Sequence, residues 1–271
     1  MMAGFSREVA RRIFAEELKS SNYSFREGED QHQYAPQYLL TPTGAKCNRV
    51  FIVGTLTEKD NIGGDTEYWR GRVVDPTGSI LIYAGQYQPE AAQILANMEA
   101  PAYVAVVGKP NLYQTEDGNV IISLRAESIQ QVDKATRDQW IMDTARRTLE
   151  RLQALLDVKP ISVGIDFDTA DKVSSSSPIQ DAQRAMEHYH TDIEHYRQMV
   201  ISALSSLRAD LAESSTKAVT ESAANAKVEQ LQEAERPVAK RSRSKKSESL
   251  NGWPEQEGGE EVETIHIGRK S

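Results

Sequence analysis

Two arginines stand two residues apart in the stretch Tyr68 to Val74, YWRGRVV, whose aromatic and β-branched content favours a strand. Alternation along a strand puts Arg70 and Arg72 on one face and Trp69, Gly71 and Val73 on the other. An outward-facing arginine pair is a candidate phosphate track, because guanidinium groups form charge-assisted hydrogen bonds to phosphate oxygens. Tyr83 and Tyr87, with Tyr68 nearby and Tyr113 further along the chain, supply rings on which bases can stack, each worth ~1–3 kcal/mol when used so. Lys109 and Arg125 flank the same surface if the surrounding strands close into a barrel. The competing use of Trp69 and of some of these tyrosines is to fill a core.

Bond-breaking chemistry finds less support. Gly63-Gly64 lacks the Lys-Ser or Lys-Thr that completes a phosphate loop, and neither a nucleophile elbow nor a metalloprotease histidine pair occurs. His188, Asp192 and His195 share one face of an expected helix, but no second ligand cluster completes a metal site, and solvated helix residues explain them. The single cysteine, Cys47, excludes an internal disulfide and any Cys-pair zinc site. The expectation is a non-enzymatic protein without metal or cofactor.

The elements that must position the arginines and tyrosines follow in order. Val50 to Leu56 is a strand with Gly54 in its middle, where the chain can bend sharply. Tyr68 to Val74 is the second strand, Asp75-Pro76-Thr77-Gly78 a tight turn, and Ser79 to Ala84 the third strand. Pro89 to Met98 carries Pro at the first helical position and an apolar face of Ala91, Ile94, Leu95 and Met98, so it reads as a helix. Ala102 to Gly108 is a fourth strand, Asn111 to Gly118 a polar loop, and Val120 to Leu124 the fifth strand. Five strands with a helix between the third and fourth match the five-stranded Greek-key barrel of the OB type, a mainly β fold whose usual ligands are oligonucleotides or oligosaccharides. This domain spans 34–134.

Helices flank it. Phe5 to Lys19, with Ser6 as N-cap and Val9, Ile13, Phe14 and Leu18 on one stripe, reads as a helix, followed by a polar loop up to Gln33. Tyr34 to Leu40 leads in as an extended arm. Thr136-Arg137-Asp138-Gln139 has the form of a capping box that opens a helix in the segment 135–156, with Trp140, Thr144, Thr148, Leu152 and Leu155 on one stripe. A linker over 157–177 ends in four serines, and 178–211 reads as one long helix with a heptad seam. Met186, Tyr189, Ile193, Tyr196 and Val200 lie on that seam, which wants another helix. The helix carrying Trp140 satisfies it within the chain, and a partner subunit satisfies it equally well. The apolar period is lost from about Ala212, so 212–271 reads as a disordered charged tail. It contains the basic cluster Lys240 to Lys246, Trp253, and Ile265-His266-Ile267.

Composition bounds these readings. The chain has 271 residues, 39% of them hydrophobic, with a mean hydropathy of −0.56, which suits one compact domain with helices and a tail. No run of about 18 apolar residues exists, and Arg7, Glu8, Arg11 and Arg12 interrupt any signal-peptide core, so a soluble cytoplasmic protein is expected. The net charge is −8, and the barrel segment itself has eight Lys and Arg against eleven Asp and Glu. Affinity for a polyanion must therefore come from arrangement rather than bulk charge.

With those residues laid out, the sequence resembles the archaeal family of replication protein A-associated proteins. The resemblance runs from SREVARRIFAEE through PTGAKCNRVFIVGTLTE, EYWRGRVVDPTGSILIYAGQYQPEA, PAYVAVVGKP and AESIQQVD to RDQWIMDTARRTLERL, covering about the first 155 residues, and the helix near EHYHTDIEHYRQMV looks similar too. It implies an OB-fold subunit of a replication protein A-like complex, acting on single-stranded DNA in replication, recombination and repair as part of a hetero-oligomer. It also implies that the helix after the barrel stands where the trimerisation helix of the eukaryotic middle subunit does. That subunit's C-terminal winged-helix pattern is missing, and a tail replaces it. The alternative is an interaction platform that assembles with a replication protein A subunit and touches little DNA itself.

Overall fold

The long strand that begins at Val50 has to serve two neighbours at once, and its glycine makes this possible. β5 (Val50–Asn61) pairs antiparallel with β8 (Ala102–Gln114) through Val50 to Leu56, and with β6 (Tyr68–Asp75) through Thr55 to Asn61. The switch falls at Gly54, where an added Cβ would lie 2.4 Å from the Val74 carbonyl oxygen. β6 continues through the Asp75 turn into β7 (Gly78–Gly85), which runs parallel to β9 (Val120–Gln131), and β9 returns to β8. The order β5-β6-β7-β9-β8, closed by β5 on β8, is a five-stranded barrel of the OB type. Ile52, Leu56, Val73, Ile80, Ile82, Val106, Leu124 and Ile129 fill its interior.

The computed structural model describes residues 8–26, 36–158 and 178–234. Two compact units divide the chain, 1–219 and 220–271; the first holds the barrel and its flanking helices. Of the second, the described residues are the last turns of a helix that begins in the first.

α2 (Pro89–Asn97) closes one barrel end with Ala91, Ala92 and Leu95. Its last carbonyls, Leu95 O and Ala96 O, accept from Lys59 Nζ at 3.1 and 2.6 Å, which satisfies groups that a helix end leaves unbonded. β8 and β9 are longer than the sequence suggests. The polar stretch expected as a loop from Asn111 stays in the ladder to Gln114, and the turn proper is Thr115 to Asn119 with Gly118 at φ 82°.

The N-terminal segment departs from expectation. A helix is expected over Phe5 to Lys19; residues 5–7 lie outside the described residues, and within 8–19 Arg11–Arg12 form β1, parallel to β5, and only Ala15–Lys19 is helical (α1). Tertiary contacts decide this outcome. Ile13, Phe14, Ala15 and Leu18 are all fully buried, while Val9, which a helical stripe would also bury, is 82% exposed. The first N–H groups of α1 are taken by the β6–β7 turn: Ala15 N donates to Asp75 Oδ2 at 2.7 Å and Glu16 N to Thr77 Oγ1 at 3.1 Å. The polar stretch after α1, expected as a loop, contains β2 (Tyr23–Arg26), which pairs with β3 (Gln37–Leu40). β3 pairs in turn with β4 (Lys46–Cys47), completing a small second sheet.

α3 (Lys134–Asp157) starts earlier than the capping box implies. Its N-cap is Asp133, whose side chain accepts from Thr136 N, so Thr136 lies inside the first turn. The expected continuous helix over 178–211 is two helices, α4 (Pro178–Tyr189) and α5 (Ile193–Ala234). His190, at φ 50°, breaks the run. Thr191 Oγ1 donates to Pro42 O at 2.6 Å and Asp192 Oδ1 accepts from His195 N at 3.0 Å, so the break docks beside the small sheet and caps α5. α5 also continues past Ala212, where the tail is expected to begin, up to Ala234. Its Ala, Glu and Lys content carries high intrinsic helix propensity without an apolar period. The basic cluster, Trp253 and the Ile265 to Ile267 handle lie outside the described residues.

The seam residues are buried within the first unit. Trp140, Thr144, Thr148, Leu152 and Leu155 on α3, with Tyr196 and Val200 on α5, are at most 6% exposed, and Met186, Tyr189 and Ile193 pack against the same core. These side chains pack on the chain's own elements. Trp140 Nε1 donates to Phe51 O at 3.1 Å, and its ring meets Phe14 edge-on, which ties α3 to the barrel and to the N-terminal segment. Among the described residues no helix is long and apolar enough to cross a membrane.

Candidate nucleic-acid interface

Strand registration brings separate stretches of sequence onto one line. Asp60 on β5 pairs with Arg70 on β6, Arg70 with Tyr83 on β7, Tyr83 with Arg125 on β9, and Arg125 with Lys109 on β8. The neighbouring rung runs Glu58, Arg72, Leu81, Ser123, Asn111. Sheet pleating then puts Arg70, Arg72, Tyr83, Arg125 and Lys109 on the outer face, while Gly71, Val73, Ile82 and Leu124 point inward.

The two ends of the rung differ in charge state. Arg70 Nη2 meets Asp60 Oδ2 at 2.9 Å and Arg72 Nε meets Glu58 Oε2 at 3.1 Å, both pairs well exposed. The hydrogen bond from Arg70 to Asp60 raises the Arg70 pKa further, so this guanidinium is charged yet already partnered. At the other end, Lys109 and Arg125 make no ion pair with any described carboxylate at contact distance. Their field joins Arg49, which binds Glu127 through two nitrogens, in holding the Glu127 carboxyl below its ordinary range. The Arg49 hydrogen bond is the main cause.

A groove of about 410 Å³ lies over this second end. Tyr68, Tyr83, Lys109, Asn111 and Arg125 line one side of it, and Gln37 and Tyr38 of the small sheet line the other. The Tyr68 and Tyr83 rings lie nearly parallel, 20° apart with centroids 5.8 Å apart. Tyr68 can lie flat because residue 85 is glycine: a Cβ there would come within 2.5 Å of its ring. Gly108 does the same for the backbone, since a Cβ would lie 2.7 Å from Arg125 O at the bulge where β8 shifts register.

Of the sequence-derived residues, Tyr83, Lys109 and Arg125 line this groove, and Arg70 and Arg72 adjoin it on the same sheet face. Tyr113 stands beyond it, 62% exposed, on the β8–β9 hairpin opposite Ile121, itself 49% exposed. Tyr87 is 84% exposed on the turn after β7 and is not part of the groove. Sequence reasoning passes over Asn111, Ser123 and Gln37, polar groups with no pattern of their own, and the carboxylates Glu58 and Asp60, whose cross-strand partners depend on register. The histidines are engaged elsewhere: His188 Nε2 meets Asn22 Oδ1 at 2.8 Å and His195 Nε2 meets Glu16 Oε1 at 2.8 Å. The described residues contain no group of three or more metal-ligating side chains.

An OB-type barrel with a basic and aromatic groove on its outer face is the class that fold and site define. No family model matches the chain, and no curated protein matches it. Among solved structures the chain is similar to the Stn1-ten1 complex of S. pombe (16% identity over 51% of this chain and 90% of that one, TM-score 0.40). It is also similar to the second single-stranded DNA-binding protein, SSBb, of Mycobacterium smegmatis (17% identity, 32% and 87%, TM-score 0.28). A further likeness is to the mitochondrial single-stranded DNA-binding protein Rim1 of S. cerevisiae (18% identity, 32% and 94%, TM-score 0.26). Likenesses of this size bear on neither ligand nor partner.

Proposed function

We propose that this protein binds single-stranded DNA in the barrel groove, as a non-enzymatic OB-fold subunit of an archaeal replication protein A-like complex working in replication, recombination and repair. The observation that carries the proposal is the conjunction of Lys109 and Arg125, which no described carboxylate pairs, with the parallel, accessible rings of Tyr68 and Tyr83. Cations without carboxylate partners can neutralise phosphates at no cost of breaking an internal pair. Flat rings beside them accept bases of any identity. The acidic balance of the chain makes binding by the isolated subunit weak, and a second subunit would supply the rest of the surface.

Fluorescence anisotropy with labelled oligothymidine at low salt tests the groove. Lys109→Ala/Arg125→Ala should weaken binding several-fold and lower the salt slope by about 0.7 for each phosphate no longer neutralised. Unchanged affinity and slope would exclude the groove as the binding site.

A second reading, assembly through the helices with little DNA contact, is favoured by one observation. Met142, Leu149 and Leu156 recur every seven residues on the outer side of α3 and are 46%, 42% and 62% exposed. That stripe, rather than the buried seam, would receive a replication protein A subunit. Co-purification that survives nuclease and is abolished in Met142→Glu/Leu149→Glu would favour this reading.

A further inference from the structure

A second cavity, about 870 Å³, lies between β1, β4, α3 and the start of α4. That volume is within the ~300–1,000 Å³ range typical of ligand sites. Among the described residues five cationic side chains line it: Arg11 and Arg12 from β1, Lys46 from β4, and Arg147 and Arg151 from α3. Three described carboxylates, Glu8, Glu150 and Asp181, line it too, so the described wall is net positive in a chain whose overall charge is −8. The cations differ in commitment. Arg151 is held by Glu17 at 2.9 Å and by the Thr43 hydroxyl at 2.8 Å. Arg12 lies over the Phe51 ring, and its buried Nε has no hydrogen-bond partner among the described residues. Arg11 and Arg147 are exposed, and neither forms an ion pair with a described residue.

Tyr38, 8% exposed and donating its hydroxyl to Glu8 Oε1, borders both this cavity and the barrel groove, so the two are adjacent. Lys46 Nζ sits 4.5 Å from the centroid of its ring, on the cavity side. Beyond Lys109 the groove is thus followed by Tyr38, backed by Lys46, with Arg11 and Arg147 in the wall of the adjoining cavity.

We infer that the basic cavity is a second segment of the single-stranded DNA path, in which Arg11, Lys46 and Arg147 bind backbone phosphates of the strand that continues beyond Tyr38. This rests on the groove reading above and deepens it: the footprint is longer than the barrel face alone. The groove binds the first nucleotides through stacking and two cations, and the cavity adds phosphate binding without aromatic platforms of its own. Strands too short to pass Tyr38 gain nothing from it.

The full chain is titrated with labelled oligothymidines from about 3 to about 24 nucleotides, bracketing the ~4–16 nucleotides that one OB fold covers. Arg11→Ala/Arg147→Ala removes two exposed side chains that pair with no described carboxylate, and an unchanged melting temperature checks that the variant is folded. Arg147→Glu serves as a second, charge-reversed variant. Lys109→Ala/Arg125→Ala provides the groove control. The expected result is that the cavity variants bind the long strands about tenfold more weakly, with a salt slope lower by about 1.4 for the double variant, at about 0.7 for each phosphate. Their affinity for the shortest strand that binds stays at the wild-type value, whereas the groove variant is weakened at every length. Cavity variants that bind long strands like the wild type, or that are weakened equally for short and long strands, overturn the inference while leaving the groove in place. A wild-type chain that binds no length overturns both readings.

Discussion

At the residue scale, what matters is which charges already have partners. Arg70 and Arg72 are the conspicuous pair in the sequence, yet each faces a carboxylate across the β5–β6 ladder, and solvent-exposed, salt-screened pairs of this kind contribute little. Asp60→Asn/Glu58→Gln should therefore free both guanidiniums and tighten oligothymidine binding several-fold, with a steeper salt dependence; an unchanged affinity would mean that the strand never reaches β6. The buried Glu17 carries a different kind of pairing. It is fully enclosed and accepts from Thr41, Thr43 and Arg151. Arg151→Met leaves that carboxylate without its counter-charge, which should cost about 3–5 kcal/mol of stability in urea unfolding. Glu127 adds a pH dependence. Arg49 holds its pKa down, so its contribution is present above the ordinary carboxylate range and disappears as the pH falls through the lowered value. Glu127→Gln should flatten the acid side of the stability profile; an unaltered acid limb would contradict this.

At the element scale, the barrel is legible because its strands carry local signals: β-branched runs, the Asp75-Pro76-Thr77-Gly78 turn, and Pro89 at the head of α2. Gly54 is the hinge of β5, and Gly54→Ala should be strongly destabilising, since the added methyl meets a ladder carbonyl rather than a flexible side chain. A melting temperature indistinguishable from wild type would refute that role. The N-terminal segment is not legible, because its conformation depends on partners far along the chain. The stripe of Val9, Ile13, Phe14 and Leu18 predicts a helix; pairing of Arg11 with Val50 and capping by Asp75 and Thr77 overrule it. The break at His190 is of the same kind, set by Thr191 reaching Pro42. The groove residues on β7, β8 and β9 can be named in the sequence, but which of them face the same space follows from register, which no single strand encodes.

At the scale of the whole molecule, the small sheet β2-β3-β4 gives the barrel something a minimal one lacks. Through Gln37 and Tyr38 it forms the second wall of the groove, and through Tyr38 and Lys46 it also borders the basic cavity. α3 and α5 bury their seams against this body, which leaves the outer stripe of α3, Met142, Leu149 and Leu156, exposed. The central claim, that single-stranded DNA lies in the groove on the tyrosine pair, is tested most directly by photocrosslinking. An oligothymidine carrying 5-iododeoxyuridine is irradiated with the full chain, and the adducts are mapped by mass spectrometry. Adducts on Tyr68 or Tyr83 that disappear in Lys109→Ala/Arg125→Ala are the predicted result. Adducts confined to α3 or α5, or none at concentrations where DNA is bound, would contradict it.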